Sequence, residues 1–115
     1  MHNYKELMVW KRSIELAELM YLKTNVFPDS EKFGLTSQMR RCAVSIASNI
    51  AEGAGRNGKG EFRQFLGYAY GSSCELETQS IISKNVGLIE VKDQNEINRL
   101  IQVIQKMIFN LKKTL

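Results

Sequence analysis

Ile97, Ile101, Ile104 and Ile108 fall at intervals of four, three and four. That spacing returns to one side of an α-helix at every step, and would divide between the two faces of a strand. Leu100, Met107 and Leu111 flank the stripe. Apolar residues recur at three and four in three further segments, and no alternating strand pattern outlasts "VGLIEV". A chain patterned this way buries its apolar residues by packing helices on helices.

The other three segments are less regular. From Tyr4 to Lys23, Leu7, Ile14, Ala17 and Tyr21 recur at three, four or seven. Met8, Trp10, Leu19, Met20 and Leu22 broaden that stripe, which predicts cover on more than one side. Pro28, the one proline, interrupts in "FPDSEKFG" and disfavours helix at the residue before it. The second segment carries Met39, Ala43, Ile46 and Ile50 on one face, among small residues that allow a close helix approach. Gly53 and Gly55 are expected to end it through positive φ. In the third, Phe62, Phe65, Leu66, Ala69, Tyr70, Leu76 and Ile81 form the predicted stripe. Gly67 and Gly71 inside it imply close packing, because an interior glycine costs up to ~1 kcal/mol relative to alanine. Gly87 closes it, and Asp93 with Glu96 reads as a capping box for the fourth. The expectation is all-α: an antiparallel four-helix bundle with helices at about 4–25, 35–52, 60–86 and 94–113, one domain over residues 1–115.

Charge and cysteine content narrow the partners. The chain has 16 basic and 12 acidic residues, a net +4 that suits an anionic partner without resembling a basic tail. Cys42 and Cys74 sit in apolar helical pattern and are expected to be buried, reduced thiols. The opening "MHNYKELMVW" lacks a basic-then-apolar leader, and no stretch reaches membrane-spanning length, so the expected location is the cytoplasm.

The residues that catalysis needs are sparse. His2 is the only histidine and has no partner at ligand spacing, so neither a metal nor a cofactor is expected. Glu75 and Glu77, two apart, diverge on a helix. "EGAGRNGKGEF" has the glycines of a phosphate loop, but Gly60 follows Lys59 where a Walker loop needs Ser or Thr. The element before it is a helix, not a strand. A helix-to-helix turn is the better reading.

The order of motifs has a family likeness. Pro28-x-x-Glu31-x-x-Gly34-Leu35, Gln38-x-x-Arg41, Ser45-x-x-x-Asn49-Ile50-Ala51-Glu52-Gly53 and Gly71-Ser72-x-x-Glu75-x-Glu77 occur in succession. Over about residues 7 to 90 the chain resembles the four-helix bundle proteins encoded within intervening sequences of bacterial 23S ribosomal RNA genes. That resemblance implies a ring-shaped homopentamer without catalytic activity. The chain also resembles the accessory protein of diversity-generating retroelements, which implies nucleic acid and a reverse transcriptase as partners. The description "ribosomal protein", used for some such proteins, does not carry over, since an insertion in an RNA gene can encode a protein that the ribosome lacks. Ser73 and Cys74 stand where such proteins tend to be apolar.

Residue roles follow from the motifs. Arg41, Ser45, Asn49, Glu52, Gly53, Gly71, Ser72, Glu75 and Glu77 are read as structural, with Glu75 or Glu77 pairing to Arg40 or Arg41 across helices. Arg40, Arg56, Lys59 and Arg63, read as grouped around the turn after the second helix, are the candidate phosphate contacts. Two functions remain open at this point: a non-enzymatic oligomer that binds RNA or DNA, or a scaffold that docks a protein on the apolar surface of its first and fourth helices.

Overall fold

In a computed structural model, residues 3–115 are described, and they form four α-helices around one core. These are α1 Met8–Thr24, α2 Leu35–Ala54, α3 Lys59–Asn85 and α4 Val91–Lys113. Short 3-10 turns at Tyr4–Glu6 and Asp29–Glu31 precede α1 and α2. The bundle measures 43 × 23 × 20 Å, its long dimension close to the ~40 Å rise of the 27-residue α3.

Each helix turns a four-three stripe inward: Val9, Ser13, Leu16 and Met20; Met39, Ala43, Ile46 and Ile50; Phe62, Leu66, Ala69, Ser73, Leu76, Ser80 and Ser83; and the four isoleucines of α4. This is the repeat that lets helices pack at shallow angles, knobs into holes. Consecutive helices are antiparallel. Gly53 lies against Phe62 and Phe65, and Met39 against Ser83. Gln105 reaches Ser73, while Arg63, ten residues earlier on α3, reaches Leu115. Lys23, at the end of α1, bonds Asp93 near the start of α4.

The predicted stripe on α1 is rotated. Leu7 and Ile14 are half-buried and Tyr21 exposed, while Val9, Ser13, Leu16, Ala17, Met20 and Thr24 are buried. Ser13 and Thr24 can face inward because each hydroxyl donates to the carbonyl four residues back, at 2.7 Å. α1 also starts at Met8 instead of residue 4, because Leu7 is extended and Asn3 caps a separate turn by accepting from Lys5 N at 3.2 Å. In α3, Tyr70 and Ile81 are exposed, and Ser73, Gln79, Ser80 and Ser83 take the inner face. Small polar residues there bond along the helix, as Ser73 does to Tyr70 O and Ser80 to Glu77 O.

Glycine accounts for two more corrections. Gly53 stays inside α2, and Gly55 has φ −78°, so neither stops the helix by positive φ. The end is instead made by Gly55 N donating to Ala51 O at 3.0 Å and Arg56 N to Gly53 O at 3.1 Å. Gly87, φ +84°, is the one positive-φ residue among those described. Gly67 and Gly71 do not sit in a close seam: a Cβ at Gly71 would meet nothing within 4 Å, and one at Gly67 only Lys112 Nζ at 3.9 Å. The capping box of α4 lies three residues earlier than predicted. Glu90 is the N-cap and Asp93 the third helical residue, its carboxylate accepting from Glu90 N at 3.4 Å.

Candidate functional site

The motif residues meet along the seam between α2 and α3. Asn49 Nδ2 donates to Ser45 O at 2.8 Å and to Ser45 Oγ at 3.0 Å. Ser45 Oγ in turn shares a hydrogen bond with Ser72 Oγ at 3.0 Å, and Cys42 Sγ donates to Ser72 O at 2.9 Å. Half-buried polar groups are thereby satisfied by one another. Gly53 supplies the closest approach, since a Cβ there would lie 2.6 Å from Phe65 Cβ. Gly71 lies outside this contact, exposed.

The predicted interhelical ion pair does not form. Arg41 and Glu75 flank a polar cleft of about 320 Å³ with Gln38, Cys42, Ser45 and Ser72, but no carboxylate lies within 4.0 Å of Arg41 among the described residues. Glu77 also makes no ion pair there. Arg40 turns to α1: Nε donates to Thr24 Oγ1 at 2.9 Å, and the guanidinium lies 4.6 Å from the Tyr21 ring centre.

Burial, then the nearby charge of Glu75, pushes the Cys42 thiol up to about 12, so it stays protonated at neutral pH and is a poor nucleophile. Cys74 is exposed, contrary to its predicted burial, because it points toward the α3–α4 edge, where Gln105 Nε2 lies 3.8 Å from its sulfur. Among the described residues no three His, Cys, Asp or Glu side chains are grouped to hold a metal ion. His2 lies outside those residues.

The four candidate phosphate cations are not one cluster. Arg40 sits near the start of α2, with roughly 21 Å of helix rise between it and Ala54, where α2 ends before Arg56. Arg56 is held by Glu52 at 3.1 Å and Glu61 at 3.6 Å and lies 5.0 Å from the Phe65 ring centre. Arg63 donates to the backbone oxygen of Leu115. Lys59, exposed at the start of α3, has no carboxylate within 4.0 Å.

Unpaired cations gather instead on α4. Asp93 and Glu96 are both drawn to Lys23 Nζ, each at 2.8 Å, across the α1–α4 seam. Hydrogen bonding to the Asp93 and Glu96 carboxylates raises the Lys23 pKa, and the Lys23 bond holds Asp93 below the usual carboxylate range. Beyond Glu96, Arg99, Lys106 and Lys113 stand exposed with no carboxylate within 4.0 Å. The sequence carried this signal as a seven-residue recurrence of cations, masked by the isoleucine stripe interleaved with it.

Hollows with mainly apolar walls lie on both flanks of α1. One, about 280 Å³, lies between α1 and α2 and is lined by Trp10, Ile14, Ala47 and Ala51 among others. Another, about 520 Å³, opens between α1 and α4 and is lined by Leu19, Leu100, Val103 and Met107 together with Arg12, Glu15, Glu96 and Arg99. Phe33, in the turn before α2, is 88% exposed. No helix among the described residues is long and apolar enough to cross a membrane.

Comparison with known proteins agrees with this architecture. The family model described as 23S rRNA-intervening sequence protein matches residues 5–110. A crystal structure of a protein of unknown function from the S23 ribosomal protein family, from Bacteroides thetaiotaomicron, superposes with a TM-score of 0.83 at 22% sequence identity. The match covers 92% of this chain and 99% of that one, and it establishes the fold alone. No curated protein matches.

Proposed function

Since the chain belongs to the family of 23S rRNA-intervening sequence proteins, we propose that it works by assembly and binding, without catalysis: a homopentameric bundle that holds RNA or DNA by its phosphates. The observation that carries this reading is the state of the cations. Of 16 lysines and arginines, ion pairs among the described residues engage four, namely Arg12, Lys23, Arg56 and Lys92. The remainder present charge that no neighbouring carboxylate neutralises, which is what contact with a polyanion requires.

Assembly is supported by apolar surface left open on a small chain. The hollow between α1 and α2 and the exposed Phe33 ring are features a second copy would cover. A ring also repeats a weak phosphate contact, and repetition raises the overall affinity without any new contact. The test has two parts. Light scattering at micromolar concentration should give close to five times 13.2 kDa, and a monomer would refute the assembly. Labelled RNA and DNA of several unrelated sequences should shift to similar extents at low salt. Absence of any shift, with a nuclease-insensitive protein co-purifying, would replace the reading with a protein scaffold.

A further inference from the structure

The net charge of the protein is concentrated in one segment. Residues 97–115 contain Arg99, Lys106, Lys112 and Lys113 and no aspartate or glutamate, so this segment alone matches the +4 of the whole chain. Three of these cations fall in register with Lys92: positions 92, 99, 106 and 113 are seven apart. At ~1.5 Å of rise per residue they stand about 10.5 Å apart and span roughly 31 Å on the side of α4 opposite its buried isoleucines. All four are exposed.

The surroundings of the row favour an anion. Asp93 and Glu96 bond Lys23, and Glu90 lies 3.6 Å from Lys92; Glu15 and Glu96 line a hollow with Arg99, but no carboxylate among the described residues lies within 4.0 Å of Arg99, Lys106 or Lys113. Asn95, Gln102 and Asn110 beside the row are exposed neutral hydrogen-bonding groups. Phe109, three residues after Lys106, is 57% exposed, and Lys113 Nζ lies 4.5 Å from its ring centre. Lysines in a last helical turn also offset the carbonyl end of the helix dipole, which accounts for part of Lys112 and Lys113. Arg99 and Lys106 are in mid-helix, where that effect has fallen away.

We infer that the outer face of α4 is a binding track for single-stranded nucleic acid, with Lys92, Arg99, Lys106 and Lys113 along the backbone and a base stacked on Phe109. A single row of cations follows one phosphate backbone, and an exposed ring beside it offers the sequence-tolerant stacking that single strands use. This assignment rests on the nucleic-acid reading above and names its surface, which is neither the turn after α2 nor the cleft at Arg41.

The test is fluorescence polarisation with a labelled 20-nucleotide single strand and the matching duplex at several salt concentrations. It uses wild type, Arg99→Gln/Lys106→Gln, Phe109→Ala, and Arg56→Gln/Lys59→Gln/Arg63→Gln, each checked by thermal melting. The double variant should weaken binding and flatten the slope of log affinity against log salt by about 1.4 for each chain engaged, since a single strand contributes ~0.7 per phosphate contact. Phe109→Ala should weaken single-strand binding roughly 5- to 100-fold while leaving the slope unchanged. The triple variant at the α2–α3 turn should bind nearly as wild type. If wild type binds and the double variant matches it in affinity and slope, the track is refuted while nucleic-acid binding stands. If Phe109→Ala weakens duplex as much as single strand, the stacking assignment falls. No binding by wild type overturns both readings.

Discussion

Gly53→Ala and Gly71→Ala make the same chemical change in two helices and should move stability in opposite directions. Removing a helix-interior glycine gains about 0.8–1.0 kcal/mol from propensity where the site is open. Gly71 is such a site, with nothing within 4 Å of the added carbon. At Gly53 the carbon would lie 2.6 Å from Phe65 Cβ and 3.1 Å from Phe62 Cδ1. Phe65 Cβ is fixed to the α3 backbone, so relief means moving α2 away from α3 instead of turning a side chain. Overpacking typically costs about 1–3 kcal/mol, and a contact this short belongs in the upper part of that range. Offset by the propensity gain, Gly53→Ala should lose about 1–2 kcal/mol, and Gly71→Ala should gain up to ~1. At roughly 4 °C or more per kcal/mol, the two melting temperatures should differ by about 8 °C or more. Urea titration of both variants, with the slope unchanged from wild type, would give the same order. Gly53→Ala as stable as Gly71→Ala would refute the close seam between α2 and α3.

The Lys23–Asp93 bond makes stability depend on pH in a stated direction. Because Asp93 is held below its usual range, its contribution is present above the unfolded value near ~4 and is lost as pH falls through the lower folded value. Asp93→Asn should therefore cost no more than ~1 kcal/mol at pH 7 for this part-exposed pair, and the difference from wild type should shrink as pH falls below the usual carboxylate range. Lys23, with its raised pKa, keeps its contribution below its unfolded value near ~10.4 and loses it as pH rises through the higher folded value. A thiol reagent at pH 7.5 should modify Cys74 quickly, and Cys42 only after denaturant is added, because Cys42 is buried and its pKa is pushed up to about 12. Two fast thiols would contradict that burial. Ala51→Leu adds its extra carbons to the open hollow between α1 and α2, so melting of the isolated fold should change by under ~1 kcal/mol. If another copy closes that hollow, the mass by light scattering should fall; an unchanged mass would place the contact elsewhere.

The architecture was legible because the apolar spacing in α2 and α4 repeats at helical intervals, and Gly87 sits where a left-handed residue is needed. The inner face of α1 was harder to read. Ser13 and Thr24 look like surface residues until their hydroxyls are seen bonding back along the helix. Ser73 and Ser80, buried on α3 beside exposed Ile81 and Ile82, bond back in the same way, and Ser83 donates across to Met39 Sδ on α2. Three-dimensional proximity, which the sequence lacks, decided the arginines. Arg41 and Glu75 share a cleft without touching, Arg40 is taken by Thr24 and Tyr21, and Arg56 is neutralised by Glu52 and Glu61. Cations near one another in sequence thus went to different partners. Glu96, one turn before Arg99, bonds Lys23 instead, and no acid occurs in residues 97–115 to pair with Lys106 or Lys113.

The affinity of the wild-type protein for one single-stranded RNA, measured from 25 to 300 mM salt, tests the central claim most directly. Three exposed cations on α4 without a carboxylate partner, at ~0.7 per phosphate contact, predict a straight plot of log affinity against log salt with a slope of about −2 or steeper. Steeper values are expected when several copies engage one strand, and a second RNA of unrelated sequence should give the same line. A flat plot, or no binding at the lowest salt, would contradict a protein that works through the phosphate backbone.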